Sequence, residues 1–552
     1  MYEYHGKVTK DFIDEALKMF QIYKSDKENI VKRVKDDISM YRQEYAQIYD
    51  KEKNRTIPKT GFILSAVENK QADFGDNFPT PNLLPREPSD DFTAKTLSKI
   101  LPTILDICDF KKIYKKHSRQ KIKKGTGIYG VFYNPAREEV EITEIDFMSI
   151  YTDMNVSNVQ DSQFLFITEH VDNNILTRMY PKARELFTGD SIAEGYGAEM
   201  QSKTMHAKSQ ITDCYYKNAD GKLHLMKFCR GNVIESTEDI PGYEDGLYAH
   251  GKYPVVFDPM YPDDDCPFGF GVIDVIKNPQ IYIDKLDSVI LKNSFLAGTP
   301  KKMIKRNCGI NINDLLDAEK EIIEVANLDE TTVKNVDAPS LPAQIMQHRN
   351  TKITELKEIA GNRDFQQGGV SGGVTSGSAI TALQEAGDKL SRSQIDDTYD
   401  AYREMIVMCI DLIREFYTEE KVYRITNDLG QTEYASFSGN MLYGEEARRD
   451  SLGFQIGTKL RKVEFDISVV PQRQNVYKRE TNNQTITQLW QMGLLSGQNI
   501  DVALMVLKAM TFDGRDELIQ SLTELKNKQE QAQAAAQAVQ NMQGMAEGEN
   551  NI

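Results

Sequence analysis

Apolar residues recur at helical spacing through residues 7–50, where Phe12, Ile13, Leu17, Phe20, Ile30, Val34, Ile38, Tyr41, Tyr45 and Ile48 sit among many charges. An amphipathic outer helix is predicted there. A further apolar segment spans Thr56 to Lys70. Asp73 to Pro81, with Pro85 and Pro88 beyond, reads as an extended, helix-poor linker that marks a boundary or a long surface loop. Ser89-Asp90-Asp91 then offers side-chain acceptors to the unpaired amides of a helix running to about Arg119.

The period changes to two at Gly127. Ile128 to Tyr133, a turn at Asn134-Pro135, and Val140 to Ile145 predict a hairpin that opens a mixed sheet reaching Val171. A helical stretch from Ile175 to Phe187 and a polar, Gly-rich loop from Gly189 to Ser209 follow. Strands resume from Ile211 to Phe228 around the turn Asn218-Ala219-Asp220-Gly221, and the sheet region ends at Tyr253 to Phe257.

The next 150 residues differ in kind. A helix from about Val272 to Ser294 stops near Gly298-Thr299-Pro300, and Lys301, Lys302, Lys305 and Arg306 stand on a strand-like run. A second helix covers Ala343 to Ile359, a polar glycine-rich segment covers Gly361 to Gly373, and one long helix covers Ser376 to Tyr417. Strands at Val422 to Ile425, Glu433 to Phe437 and Val463 to Val470 imply that a sheet is completed by residues distant in sequence. The chain leaves a domain, builds an excursion and returns. Helices at Thr485 to Met492, Asp501 to Ala509 and Arg515 to Lys526 precede a Gln/Ala/Met/Glu tail expected to fray into disorder.

With 552 residues, 40% hydrophobic and 27% charged, the chain has room for more than one core and the balance of a soluble protein, and its mixture of helical and strand segments is that of an α+β chain. It has no run of about 18 apolar residues and its first residues lack a secretion signal's pattern, so a cytoplasmic protein with no membrane partner is expected. Cys108, Cys214, Cys229, Cys266, Cys308 and Cys409 show no paired spacing and are expected to be reduced. A net charge of −16 argues against a conventional nucleic-acid binder, leaving any such contact to local basic patches.

Candidate chemistry is sparse. Gly125-Thr126-Gly127-Ile128-Tyr129-Gly130 fits GxGxxG, but a helix precedes it and a strand follows, the reverse of a dinucleotide site, so a tight helix-to-strand turn is expected. Residues 361–377 lack the Gly-Lys-Ser/Thr of a phosphate loop and read either as a plain connector or as a loop projecting into a channel. Lys111, Lys112, Lys115, Lys116, Arg119, Lys121, Lys123 and Lys124 form the strongest basic cluster. Interleaved Phe110, Ile113, Tyr114 and Ile122 make it the solvated face of a packed helix, with nucleic-acid contact as the alternative. Asp263-Asp264-Asp265 is expected to cap the next helix or lie exposed. No His spacing suggests a metal and no GxSxG a nucleophile, so no catalytic residue, metal or cofactor is expected.

The order of these elements resembles the bacteriophage portal protein family of tailed phages. The resemblance rests on Gly127 to Pro135 followed by Ile142 to Phe147 and Tyr151-Thr152-Asp153, on Gly269-Phe270-Gly271 leading to Gln280 and Leu286, and on Thr375 to Gly387. It covers about residues 55–530. It implies a ring of about twelve subunits, each with a mixed α/β wing, a two-helix stem, a small α/β clip and a helical crown. On this chain the resemblance gives a wing at 1–267, stem helices at 268–298 and 343–360, and a clip at 299–342. It gives a channel loop at 361–377, a long helix and returning wing strands at 378–470, and a crown with its tail at 471–552.

The function so implied is non-enzymatic passage of double-stranded DNA during packaging and ejection. The implied partners are the large terminase, a head-tail adaptor, and the major capsid and scaffolding proteins, at one vertex of the virion after assembly in host cytoplasm. Arg363, Gln366 and Gln367, with Lys285 and Lys292, are the residues expected at the DNA, and Lys301, Lys302, Lys305 and Arg306 those expected at clip contacts. Two other readings compete: a nucleotide- or nucleic-acid-processing enzyme using the Gly-rich loops, and a helical adaptor without a channel.

Overall fold

The computed structural model describes residues 4, 6–44, 59–187, 208–298, 301–304, 306, 310–313, 322, 333–336, 341–361, 389–426, 432–449 and 455–473, with scattered residues from 483 to 526. Helix and strand are mixed throughout, as expected of an α+β chain. Helix α1 (Lys10–Tyr41) is followed by α2 (Phe62–Asp76). The segment read as a linker is instead strand β1 (Asn77–Pro85), continuous with α2. Its partner is the last described strand, β18 (Phe465–Arg473), aligned antiparallel with Pro79 opposite Pro471. Two prolines face each other only at a non-hydrogen-bonded pair, and Pro81 and Pro85 share the parity of Pro79. The missing amides therefore all fall on the edge away from β18.

The helix expected from Ser89 to Arg119 is two helices, α3 (Asp91–Ile107) and α4 (Phe110–Lys124). Asp109 between them takes a left-handed φ of 55°, which breaks the helical path. No side chain of the Ser89-Asp90-Asp91 run caps α3. Strand β2 (Thr126–Asn134) leaves α4 directly and pairs with β3 (Glu139–Glu144), the predicted hairpin, and with β9 (Val255–Pro259) on its other side. A five-stranded antiparallel sheet holds β4 (Ile150–Thr152), β5 (Phe164–Asp172), β6 (Lys208–Lys217), β7 (Leu223–Cys229) and β8 (Asn232–Ser236) in sequence order. Helix α5 (Asn173–Met179) and a 3-10 turn (Pro181–Phe187) follow β5. Most of the loop expected after them lies outside the described residues.

The sheet region runs further than Phe257, into the hairpin β10 (Tyr261–Asp263) and β11 (Cys266–Phe270). Asp263, Asp264 and Asp265 are exposed at its turn and do not cap the following helix. That helix is α6 (Val272–Gly298), and the short ribbon of β12 (Lys301–Ile304) and β13 (Val333–Val336) joins it to α7 (Ala343–Ala360). Long helix α8 (Lys389–Phe416) leads to the hairpins β14 (Lys421–Thr426) with β15 (Thr432–Phe437) and β16 (Tyr443–Arg449) with β17 (Gln455–Lys462).

Among the described residues four buried clusters organise these elements, the smallest around Leu176, Phe187 and Ile211. The largest joins Leu97, Ile100 and Ile104 of α3, Phe110 and Tyr114 of α4, Tyr129 of β2 and Tyr402, Ile406 and Ile413 of α8. A second sets Phe12, Phe20 and Tyr23 of α1 against Phe164, Phe166 and Tyr216 of the five-stranded sheet. The third gathers Val67 and Phe74 of α2, Ile273, Ile276 and Ile283 of α6, and Leu356 and Ala360 of α7. It fixes the base of the α6–α7 pair to the body.

Candidate functional site

The α6–ribbon–α7 excursion is set by what surrounds its base. Gly125 makes the helix-to-strand turn, closing α4 at φ 93°, while Gly127 and Gly130 lie within β2, where a Cβ on Gly127 would stand 2.6 Å from the His117 ring. The GxGxxG pattern here reflects packing, with the strand after it and no helix. Gly271 packs equally closely, since a Cβ there would stand 2.8 Å from the Ile122 carbonyl. Its amide donates to Asp274 Oδ2 at 3.0 Å. Helix α6 thus begins hard against the end of α4.

Along α6, Ile273, Ile276 and Ile283 are fully buried, and so are the polar Gln280 and Asp284. Asp284 Oδ1 accepts from the Thr60 amide at 3.1 Å, from the Thr60 hydroxyl at 2.9 Å and from Gln280 Nε2 at 3.0 Å. This satisfies a buried carboxylate three times over. Past Asp284 the surroundings change: Val289, Leu291 and Phe295 are exposed. Arg349 of α7 reaches Asp287 with two guanidinium hydrogen bonds, the second 3.2 Å long. Among the described residues, the outer half of the helix pair exposes apolar side chains and carries the ribbon at its end.

Lys285 and Lys292 are both exposed on α6, seven residues apart and so on one side of it. They alternate with exposed Tyr282 and Val289, and Lys285 Nζ lies 5.7 Å from the centre of the Tyr282 ring. Lys301 and Lys302 lie in β12, with Lys302 exposed; Arg306 is exposed just past the strand. Lys305, Arg363, Gln366, Gln367 and the rest of the 362–377 loop lie outside the described residues.

Sequence reading missed the ionic anchors inside the body. Lys121, counted with the surface cluster, is fully buried: its Nζ lies 2.5 Å from Asp258 Oδ1 and 2.6 Å from the Thr398 hydroxyl. His117 Nε2 lies 2.9 Å from Asp258 Oδ2, and its ring stacks on Tyr129 at 3.6 Å. Burial outweighs Asp258 and lowers the His117 pKa, so the imidazole is neutral and donates Nε2–H. Burial alone would raise the Asp258 carboxyl, but the Lys121 charge and the His117 hydrogen bond hold it below its ordinary range. The available signal was helical spacing, because Lys121 falls on the stripe of Phe110, Tyr114 and His117.

Two further anchors hold α1. Lys27 Nζ donates to the carbonyls of Phe147 and Ile150 and sits 4.3 Å from the centre of the Phe268 ring. Complete burial lowers its pKa to about 7. Near the start of α6, Lys277 Nζ bridges Asp37 Oδ1 and Asp274 Oδ1 at 3.0 Å each, while the Arg33 guanidinium approaches Asp274 at 3.5 Å. Burial and the nearby Asp274 charge push Asp37 up to about 7. Among the described residues no group of three or more His, Cys, Asp or Glu could hold a metal, and no helix is long and apolar enough to cross a membrane.

The family model described as Phage P22-like portal protein matches residues 40–551. No curated protein matches the chain. A match over nearly the whole length, on a chain whose two helices carry a strand ribbon away from a sheet-rich body, means that this chain belongs to the P22-like phage portal protein family.

Proposed function

We propose that the chain is the subunit of a ring of about twelve copies at one capsid vertex, a conduit for double-stranded DNA in packaging and ejection. It acts as a hub for the large terminase, the head-tail adaptor and the major capsid and scaffolding proteins, and neither catalyses a reaction nor needs a cofactor. It is assembled in host cytoplasm and retained in the virion. The observation that carries this reading is the α6–ribbon–α7 excursion, held at its base by Asp284 and the third core and exposing apolar side chains beyond Asp287. The two helices are the stem and the ribbon belongs to the clip.

In this arrangement Arg363, Gln366 and Gln367 approach the passing duplex, Lys285 and Lys292 supply sparse cations to the tunnel, and Lys301, Lys302, Lys305 and Arg306 make clip contacts. A net charge of −16 per copy favours sliding, because tight adhesion to DNA requires many cations displacing phosphate counterions. Deleting residues 366–373 tests the conduit: packaging or retention of packaged DNA is expected to fail while rings still form. Normal packaging and retention in that deletion would remove the loop from the mechanism.

A further inference from the structure

Helix α4 divides into two halves that use their cations differently. In the second half, Arg119 pairs with Glu68 at 2.9 Å, Lys121 with Asp258, Lys124 with Asp146, and Lys123 Nζ lies 3.5 Å from the centre of the Tyr41 ring. In the first half, Lys111, Lys112, Lys115 and Lys116 are all exposed, and none of their ammonium groups makes an ion pair or hydrogen bond with a described residue. Lys116 is felt only at longer range by half-buried Glu144. Asp106 and Asp109 share a surface hollow with Lys111, Lys112 and Lys115 and bound the stripe on that side. Four solvated cations on one turn and a half of helix are an exception on a chain of net charge −16.

We propose that this face of α4 is a second, non-specific docking surface for the phosphate backbone of duplex DNA, separate from the loop at 361–377. The stripe from Lys111 to Lys116 is about 8 Å long at 1.5 Å per residue. Duplex DNA presents a charge about every 1.7 Å of its axis, so the stripe meets phosphates in any register. A protein partner fits less well. Lysine is depleted at the centres of protein interfaces, and residues 111–116 contain no arginine and expose no aromatic anchor. The buried side of α4, with Tyr114 and His117 in the core, makes the stripe a rigid platform.

The test uses the full chain and a short fluorescent duplex of arbitrary sequence, with anisotropy followed across a salt series. Replacing Lys111, Lys112, Lys115 and Lys116 together by Gln is expected to reduce the slope of log affinity on log salt by about 1 per lysine. Replacing the same four by Arg is expected to preserve it. If the quadruple Gln chain does not fold, Lys112→Gln and Lys115→Gln alone are each expected to lose about 1 from the slope. An unchanged slope, or no salt-dependent binding by the unaltered chain, overturns the proposal. So does loss of ring assembly with unchanged DNA affinity, which would assign the face to an acidic surface of a second copy. Deletion of residues 366–373 is expected to leave the α4 share of the slope in place. If that deletion alone abolished binding, this surface would be refuted while the conduit reading stood.

Discussion

The Lys121 ammonium lies 2.5 Å from the Asp258 carboxylate where α4, β9 and α8 meet, and neither side chain is exposed. A charge buried in this way is tolerable only while its partner is present. Asp258→Asn or Lys121→Met, each leaving the other group uncompensated, is expected to cost about 3–5 kcal/mol. Replacing both with apolar residues is expected to cost far less than the sum of the two. Denaturant unfolding of the four chains checks this, and additive losses would show that the pair is not coupled.

Gly127→Ala should act through the same cluster. The new Cβ would lie 2.6 Å from the His117 ring, which is held between Tyr129 and Asp258 and has no room to retreat. A loss of about 1–3 kcal/mol is expected, the usual cost of overpacking. A thermal midpoint equal to that of the unaltered chain would contradict the packing described for this turn.

Lys27 and Asp37, both on α1, should give stability opposite dependences on pH. The folded pKa of Lys27 is depressed to about 7, so its contribution is present above the unfolded value of about 10.4 and is lost as pH falls through 7. The folded pKa of Asp37 is raised to about 7, so its contribution is present below about 4 and is lost as pH rises through 7. Lys27→Met should therefore abolish a gain in stability between about pH 7 and 10, and Asp37→Asn a loss between about pH 4 and 7. Unfolding midpoints measured against pH for each variant and the unaltered chain check both windows.

Adjacent residues of α6 should respond differently to truncation. Ile283 is fully buried against the body, whereas Tyr282 is 57% exposed on the stripe that also carries Val289. Ile283→Ala is expected to destabilise the chain by about 2–5 kcal/mol. Tyr282→Ala is expected to leave both the unfolding midpoint and ring formation, read by sedimentation, unchanged, because in the proposed arrangement Tyr282 shares the tunnel side of α6 with Lys285 and Lys292. Loss of rings in Tyr282→Ala would mean that this stripe faces a neighbouring copy, so that Lys285 and Lys292 do not line the tunnel.

Arg86 supplies a contrast with Lys121. It joins the ends of β1 and β18 through Glu464 and Asp466, the latter at 2.8 Å, but about half of its side chain is exposed. Surface pairs of this kind gain little, since water and salt screen them. Arg86→Ala should leave the unfolding midpoint unchanged; a clear drop would mean that the closing of β1 on β18 depends on this pair.

The elements that could be read from sequence are those whose evidence is local. Alternation through Val140–Ile145 and the Asn218–Gly221 turn located hairpins, and the two helices α6 and α7 on either side of a short basic run were legible from their spacing. Strand β1 was misread because its prolines argue against a strand until β18, nearly 400 residues later, supplies the one edge that needs amides. Lys121 was misread for the same reason, since Asp258 lies on a strand 137 residues away. The break at Asp109 left no mark in composition.

The central claim is that this chain assembles around a hole. Native mass spectrometry of the purified protein, with negative-stain projections of the same sample, tests it most directly. The expected result is a mass about twelve times that of one chain, with end-on views showing a ring with a central opening. A single species at the mass of a monomer or dimer, unchanged across protein concentration and salt and without ring views, would contradict it.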